Sequence, residues 1–165
     1  MVAKSITDIY YHCRLFDKVE ISGNRAIQEF CTDAYEGHPQ GCPNYGVKFG
    51  CPPSAKFFPD KYMMRGGLAV MEIDFAEYLA LRKREHPGWT DRQCRCPLYW
   101  QGHFRKIFKD WAERHAPQGY EVVFTPEAMG VDVTDACSKV GIQLEWPPMN
   151  MVHMVAVYAK RRNHA

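Results

Sequence analysis

The sequence lacks any long apolar run. No stretch approaches the ~20 apolar residues that a membrane-spanning helix needs, and residues 1–8 contain no apolar segment of the kind found in secretory signal peptides. We therefore expect a soluble, cytoplasmic protein that does not bind membranes.

Familiar catalytic and nucleotide-binding motifs are also missing. The chain contains no phosphate-binding glycine loop, no Gly-x-Ser-x-Gly, no His-Glu-x-x-His and no paired-carboxylate pattern. Any enzymatic activity would have to come from a metal or a thiol, and the sequence leaves open whether the protein is an enzyme.

The sequence also lacks a large net charge. The formal net charge is +2, and the basic runs at 82–84 and 160–162 are short and typical of a solvated surface. We therefore expect no nucleic-acid partner, and we expect residues 160–165 to form a flexible basic tail.

Cysteine is the residue type that stands out. The chain has seven cysteines, an odd number, and a disulfide framework belongs to small secreted proteins rather than to a cytoplasmic chain of 165 residues. Reduced thiols that bind a metal explain this composition better. With 46% hydrophobic and 24% charged residues, the chain is expected to form one metal-binding domain over residues 1–165.

The cysteines are concentrated where the chain has neither helical nor strand periodicity. Residues 42–53 read Cys-Pro-Asn-Tyr-Gly-Val-Lys-Phe-Gly-Cys-Pro-Pro, and Cys31 lies upstream. Glycine permits the sharp turns that bring several sulfur atoms to one metal, and proline restricts the backbone directly after Cys42 and Cys51. The pattern predicts a pre-organised metal loop at about 31–53.

The spacing of these cysteines indicates which metal. Cys-Pro is typical of iron–sulfur binding segments, whereas structural zinc sites use Cys-x2–4-Cys pairs, which this segment lacks. The spacing favours a [4Fe–4S] cluster on Cys31, Cys42 and Cys51. The alternative is a structural zinc-binding module that mediates a protein interaction.

The other four cysteines lie outside this segment. Cys94 and Cys96 lie in a predicted loop between two helices, and either could be a fourth ligand, unless one iron is left open. Cys13 has an aromatic setting that suits a packed residue or a ligand. Cys137 is predicted near the N-terminus of a short helix that begins at Thr134, where the helix dipole would stabilise a thiolate, so it is a ligand, a reactive thiol or a packed residue.

A resemblance adds to this interpretation. Residues 42–53, together with Glu-Ala-Met-Gly-Val-Asp-Val at 127–133, resemble an uncharacterised family of anaerobes described as predicted metal-binding proteins. The resemblance covers roughly positions 10 to 160 and implies a bound metal but no particular activity. In that family the first cysteine directly precedes the Cys-Pro-x-Tyr-Gly run, whereas here residues 32–41 intervene, and the family's second cysteine cluster has no counterpart at 119–124.

Hydrophobic patterns predict an α/β or α+β domain with helices packed on a mixed sheet. Strands are expected near 17–21, 25–30, 68–73, 120–124 and 150–158, with 68–73 in the middle of the sheet, and long helices are expected at 75–86 and about 98–115. Glu127 and Asp132 are expected to cap or turn the chain.

The expected function is therefore electron transfer or sulfur and redox chemistry. It implies an unidentified redox or sulfur-transfer partner protein. A homodimer is the default oligomer, because symmetric pairs are the commonest assemblies.

Overall fold

The protein is built on an antiparallel sheet with helices on both faces. The computed structural model describes residues 5–34 and 38–163. The strands are β1 (Tyr11–Glu20), β2 (Arg65–Asp74), β3 (Glu121–Val123) and β4 (Met151–Ala159). The α-helices are α1 (Arg25–Glu29), α2 (Phe58–Lys61), α3 (Phe75–Glu85), α4 (Asp91–Arg95), α5 (Gln101–Arg114) and α6 (Val133–Ser138).

The strands lie in the order β1, β2, β4, β3, and each neighbouring pair is antiparallel. The predicted strand 68–73 lies within β2, which occupies the interior of the sheet as expected. The α+β alternative for the fold class is confirmed. The sheet is antiparallel between all its described strands rather than mixed.

Side chains of β2 alternate between two cores because successive residues of a strand point to opposite faces. Ala69, Met71 and Ile73 pack into a first core with side chains of α3 and α5. Leu68 and Val70 pack into a second core with side chains of α6. Coverage on both faces explains why this strand has a continuous apolar sequence.

The two long helices occur where the sequence predicts them. The Asp74 carboxylate caps α3 by accepting the N–H of Glu77 at 2.9 Å. Helix α5 buries Phe104, Phe108 and Ala112, whose four-residue spacing places them on one face. Among the described residues, no helix is both long and apolar enough to cross a membrane.

The segment 25–30 is helical, so the prediction of a strand there was wrong. The Asn24 side chain accepts the N–H of Ala26 at 3.0 Å and begins α1, and a 3-10 turn at Phe30–Thr32 follows. The sequence Ser22-Gly23-Asn24, which would have to turn the chain between the predicted strands 17–21 and 25–30, is therefore a helix start. The strand before that turn is longer than the predicted 17–21, because β1 begins at Tyr11.

After β4 the chain continues beside residues 61–63, which lie just before β2. The N–H of Arg162 donates to the carbonyl of Lys61 at 3.0 Å, and the Arg161 guanidinium pairs with the Glu121 carboxylate. The last two residues of the predicted basic tail, 164–165, lie outside the described residues.

Candidate functional site

Cys31 and Cys42 are adjacent through their backbones. Cys31 lies in the 3-10 turn Phe30–Thr32, whereas the predicted strand 25–30 would have put it at a strand end. Its carbonyl accepts the N–H of Cys42 at 2.8 Å. Gly41 makes this approach possible, because its φ is +82° and a Cβ there would lie 2.6 Å from the Cys31 carbonyl oxygen. Residues 35–37 of the connecting segment lie outside the described residues.

Residues 42–53, which we call the cysteine loop, fold back on themselves. The N–H of Gly46 donates to the carbonyl of Pro52 at 2.8 Å and closes the loop across its middle. Gly46 and Gly50 have φ values of +69° and +85°, which suit glycine in such turns. This folding brings Cys51 back towards the Cys31–Cys42 pair.

The thiols of Cys42 and Cys51 both lie within electrostatic reach of Cys31. Burial raises the pKa of Cys31, and the charges of Cys42, Cys51 and Glu127 raise the same pKa further. All three cysteines are half-buried. When its neighbours ionise, the surroundings of Cys31 are therefore negative and disfavour a second thiolate. A bound cation would instead favour the thiolate and lower the pKa of Cys31.

Glu127 comes to this group from a distant part of the chain. It lies in the 3-10 turn Glu127–Met129, so the expectation that it turns the chain is confirmed. The Gln28 side-chain amide donates to the carbonyls of Ala128 at 2.9 Å and Ala55 at 3.3 Å, which ties α1 to this turn and to the segment that follows the cysteine loop. Glu127 is exposed as a whole residue, but its carboxyl group is partly buried, and this burial raises the pKa of Glu127.

The thiols do not form a finished coordination site. Within residues 5–34 and 38–163, no group of three or more His, Cys, Asp or Glu side chains is arranged to hold a metal ion. Cys31, Cys42, Cys51 and Glu127 are therefore neighbours that do not yet share a coordination geometry.

Cys94 and Cys96 lie in a different environment. Cys94 belongs to α4 rather than to a loop, because Thr90 begins that helix with a reciprocal cap to Gln93. Cys94 is 3% exposed. Burial raises the pKa of Tyr78 in α3 to about 12, and the charges of Cys94 and Cys96 add to this. These two thiols thus neighbour α3, whereas the charges that act on Cys31 come from Cys42, Cys51 and Glu127.

Cys13 and Cys137 are packed residues. Burial raises the pKa of both thiols to about 11, and for Cys137 the Glu127 charge contributes as well. Cys137 is fully buried in the second core and is the fifth residue of α6. The expectation that it lies near a helix N-terminus and is stabilised as a thiolate was wrong.

The sequence did not predict a cluster of polar side chains on the sheet. Glu72 of β2 accepts a hydrogen bond from Arg14 of β1 at 2.9 Å, and its Oε1 lies 3.4 Å from the His153 Nε2 of β4. His12 and His153 are the register partners of Glu72 on either side. None of these four residues belongs to a recognisable sequence motif, and only the pairing of the strands brings them together.

Comparisons with protein-family models, curated proteins and solved structures found no match.

Proposed function

We propose that the protein binds a [4Fe–4S] cluster on Cys31, Cys42 and Cys51 and uses it in the cytoplasm for electron transfer or for sulfur and redox chemistry. The observation that carries this proposal is the backbone pairing of Cys31 with Cys42 at 2.8 Å, together with the folded cysteine loop from which the charges of Cys42 and Cys51 act on Cys31. Cysteine thiolates are the protein ligands of such clusters, so the donor set fits. The proposal agrees with what the resemblance of residues 42–53 and 127–133 to a family described as predicted metal-binding proteins implies.

For a metal to bind, the side chains of Cys31, Cys42 and Cys51 must rotate towards a common point. The three cysteines are half-buried, and a cysteine side chain moves between staggered rotamers about a single torsion. Metal binding provides free energy that offsets both this ordering and the repulsion between thiolates. We therefore expect the loaded protein to be more stable than the metal-free protein.

Two groups compete for the fourth coordination position. The sequence puts forward Cys94 or Cys96, and the structure adds Glu127, which acts on Cys31 directly. We favour Glu127. A hard carboxylate oxygen suits this soft, thiolate-rich site less well than a fourth thiolate, so a site closed by Glu127 would exchange that ligand for a substrate more readily. Closure by Cys94 or Cys96 would instead suit an electron carrier.

Structural zinc is the second candidate. Three thiols and a carboxylate make four ligands, the number that zinc takes in tetrahedral protein sites. The proximity of Glu127 to Cys31 is the observation that favours it. In that case the cysteine loop would be a stabilised surface for a partner protein.

Serine replacements of single cysteines test the ligand assignment. We expect Cys31→Ser, Cys42→Ser and Cys51→Ser to lose most of the metal after anaerobic purification, because each removes a thiolate from the set. Cys13→Ser is the control and should keep its metal, since that thiol packs against the first core. Full metal content in Cys51→Ser would reject the assignment.

A second pair of variants separates the candidates for the fourth position. If Glu127 completes the set, Glu127→Gln changes the electron paramagnetic resonance spectrum of the reduced protein, and the double replacement Cys94→Ser with Cys96→Ser leaves it unchanged. The reverse result assigns the position to the 94–96 segment. Circular dichroism of each variant shows whether it still folds.

A further inference from the structure

Among the described residues, no strand pairs with the outer edge of β4 along its first half. β3 pairs only with residues 157–159 of β4. Beside the unpaired part runs a groove of about 350 Å³, bounded by α5, by the segment after β3 and by β4. Lys48 of the cysteine loop also lines this groove, and so does Glu127. The groove therefore borders the group that contains Cys31.

Three cationic side chains from two separate segments converge on the groove. Arg105 and Lys109 enter from α5, and Lys48 enters from the cysteine loop. Glu127 is the one acidic residue among those that line the groove, and Thr125 and His153 contribute polar groups. Like charges that face one another across a concave surface raise the local potential and attract anions.

These cations are poorly neutralised by the protein itself. Within the part of the chain that the structure describes, the side chains of Arg105 and Lys48 make no hydrogen bond or ion pair. Lys109 lies 3.9 Å from Glu113, and both side chains are more than half exposed, so that pair is weak. An oxyanion in the groove would give Arg105 the paired hydrogen bonds that its planar guanidinium favours.

We propose that this groove binds a small organic anion, through a carboxylate or phosphate group held by Arg105, Lys48 and Lys109. The inference rests on the proposed function, because it names the substrate class of a site next to the metal. Its volume falls near the lower end of the ~300–1,000 Å³ found for ligand pockets, which suits a small molecule. Glu127 lies both beside Cys31 and in the groove, so a bound anion would lie close to the position that Glu127 occupies.

Titration of the metal-free protein with anions tests this proposal. Inorganic phosphate and succinate, added at constant ionic strength, distinguish a phosphate site from a carboxylate site when backbone amide shifts are followed by nuclear magnetic resonance. We expect saturable binding of at least one probe, with shifts concentrated near residues 48, 105 and 125. Arg105→Gln should weaken that binding at least tenfold.

Lys106→Gln is the matched control, since it removes the same charge from an exposed position of the same helix that does not line the groove. It should leave the affinity unchanged. Equal weakening by both variants, or no saturation with either probe, would overturn the proposal. A protein that binds an anion but never a metal would reject the metal proposal alone, and a loaded protein that binds no anion would reject the groove alone.

Discussion

Gly130 shows how one residue holds the surroundings of the site together. Its φ is +80°, and its carbonyl accepts the N–H of Asn24 at 2.7 Å, which joins the Glu127 turn to the start of α1. A Cβ at this position would lie 2.8 Å from the Phe57 ring and 2.9 Å from the Asn24 carbonyl oxygen. The glycine in the Glu-Ala-Met-Gly motif therefore meets two requirements, a left-handed backbone and close packing.

Gly130→Ala should destabilise the protein more than Gly141→Ala. Both residues have a left-handed backbone, with φ of +80° and +78°, but nothing lies within 4 Å of a Cβ at Gly141. The backbone term, ~1–2 kcal/mol, is common to both. Overpacking adds ~1–3 kcal/mol at Gly130 only. Urea unfolding of both variants measures the difference, and equal losses would contradict the packing argument.

Glu145 should titrate far below an ordinary glutamate. Its carboxylate accepts the N–H of Asn150 at 2.9 Å and of Met149 at 3.0 Å, and these bonds lower the pKa of Glu145 to about 2. An unfolded glutamate has a pKa of ~4.3. The contribution to stability is therefore complete above that value and is lost as the pH falls towards 2.

The side-chain carboxyl carbon of Glu145, followed by nuclear magnetic resonance, gives the midpoint directly. In Glu145→Gln, which does not titrate, the Asn150 amide should lose its shift change over the same range. A Glu145 midpoint near 4 would mean that these hydrogen bonds do not form in solution.

Helix α6 is an element whose start is set by one side chain. Asp132 precedes it and accepts the N–H of Asp135 at 2.9 Å, so the expectation that Asp132 caps the chain is confirmed. The helix is short, and it buries Val133, Ala136 and Cys137 in the second core. Such a helix depends on its cap and its packing, because an isolated helix of this length is unstable in water.

Asp132→Ala should lower the free energy of unfolding by ~1 kcal/mol, because it leaves the first helical N–H groups without an acceptor. Asp132→Asn keeps a side-chain oxygen and should cost only a few tenths of that. Chemical denaturation of the two variants checks the order. A loss in the asparagine variant as large as in the alanine variant would show that the charge, rather than the cap, stabilises α6.

Elements with strong local signals could be predicted from the sequence, whereas α1 and α4, which have weak apolar patterns and begin at a single cap, could not. The four-residue spacing in α5 and the apolar run in β2 identify these elements without knowledge of their neighbours. The segment 25–30 has a weak apolar pattern that fits a strand or a helix, and the cap provided by Asn24 favours the helix. Helix α4 was missed for the same reason, because its start depends on Thr90.

At the scale of the whole molecule, the site combines local and distant contributions. The neighbourhood of Cys42 and Cys51 follows from glycine and proline within a few residues, so the sequence could predict it. The approach of Glu127 to Cys31, and of Lys48 to the groove beside α5, depends on how separate segments pack on one sheet. No local pattern in the sequence carries that information.

The most direct measurement of the central claim is the absorption spectrum of anaerobically purified protein, together with its iron, sulfide and zinc content. We expect a coloured protein with broad visible absorption and about four iron and four sulfide per chain, as a [4Fe–4S] cluster requires. The colour should be absent from Cys51→Ser. A colourless wild-type protein with about one zinc ion per chain would contradict the account and leave the structural zinc site in its place.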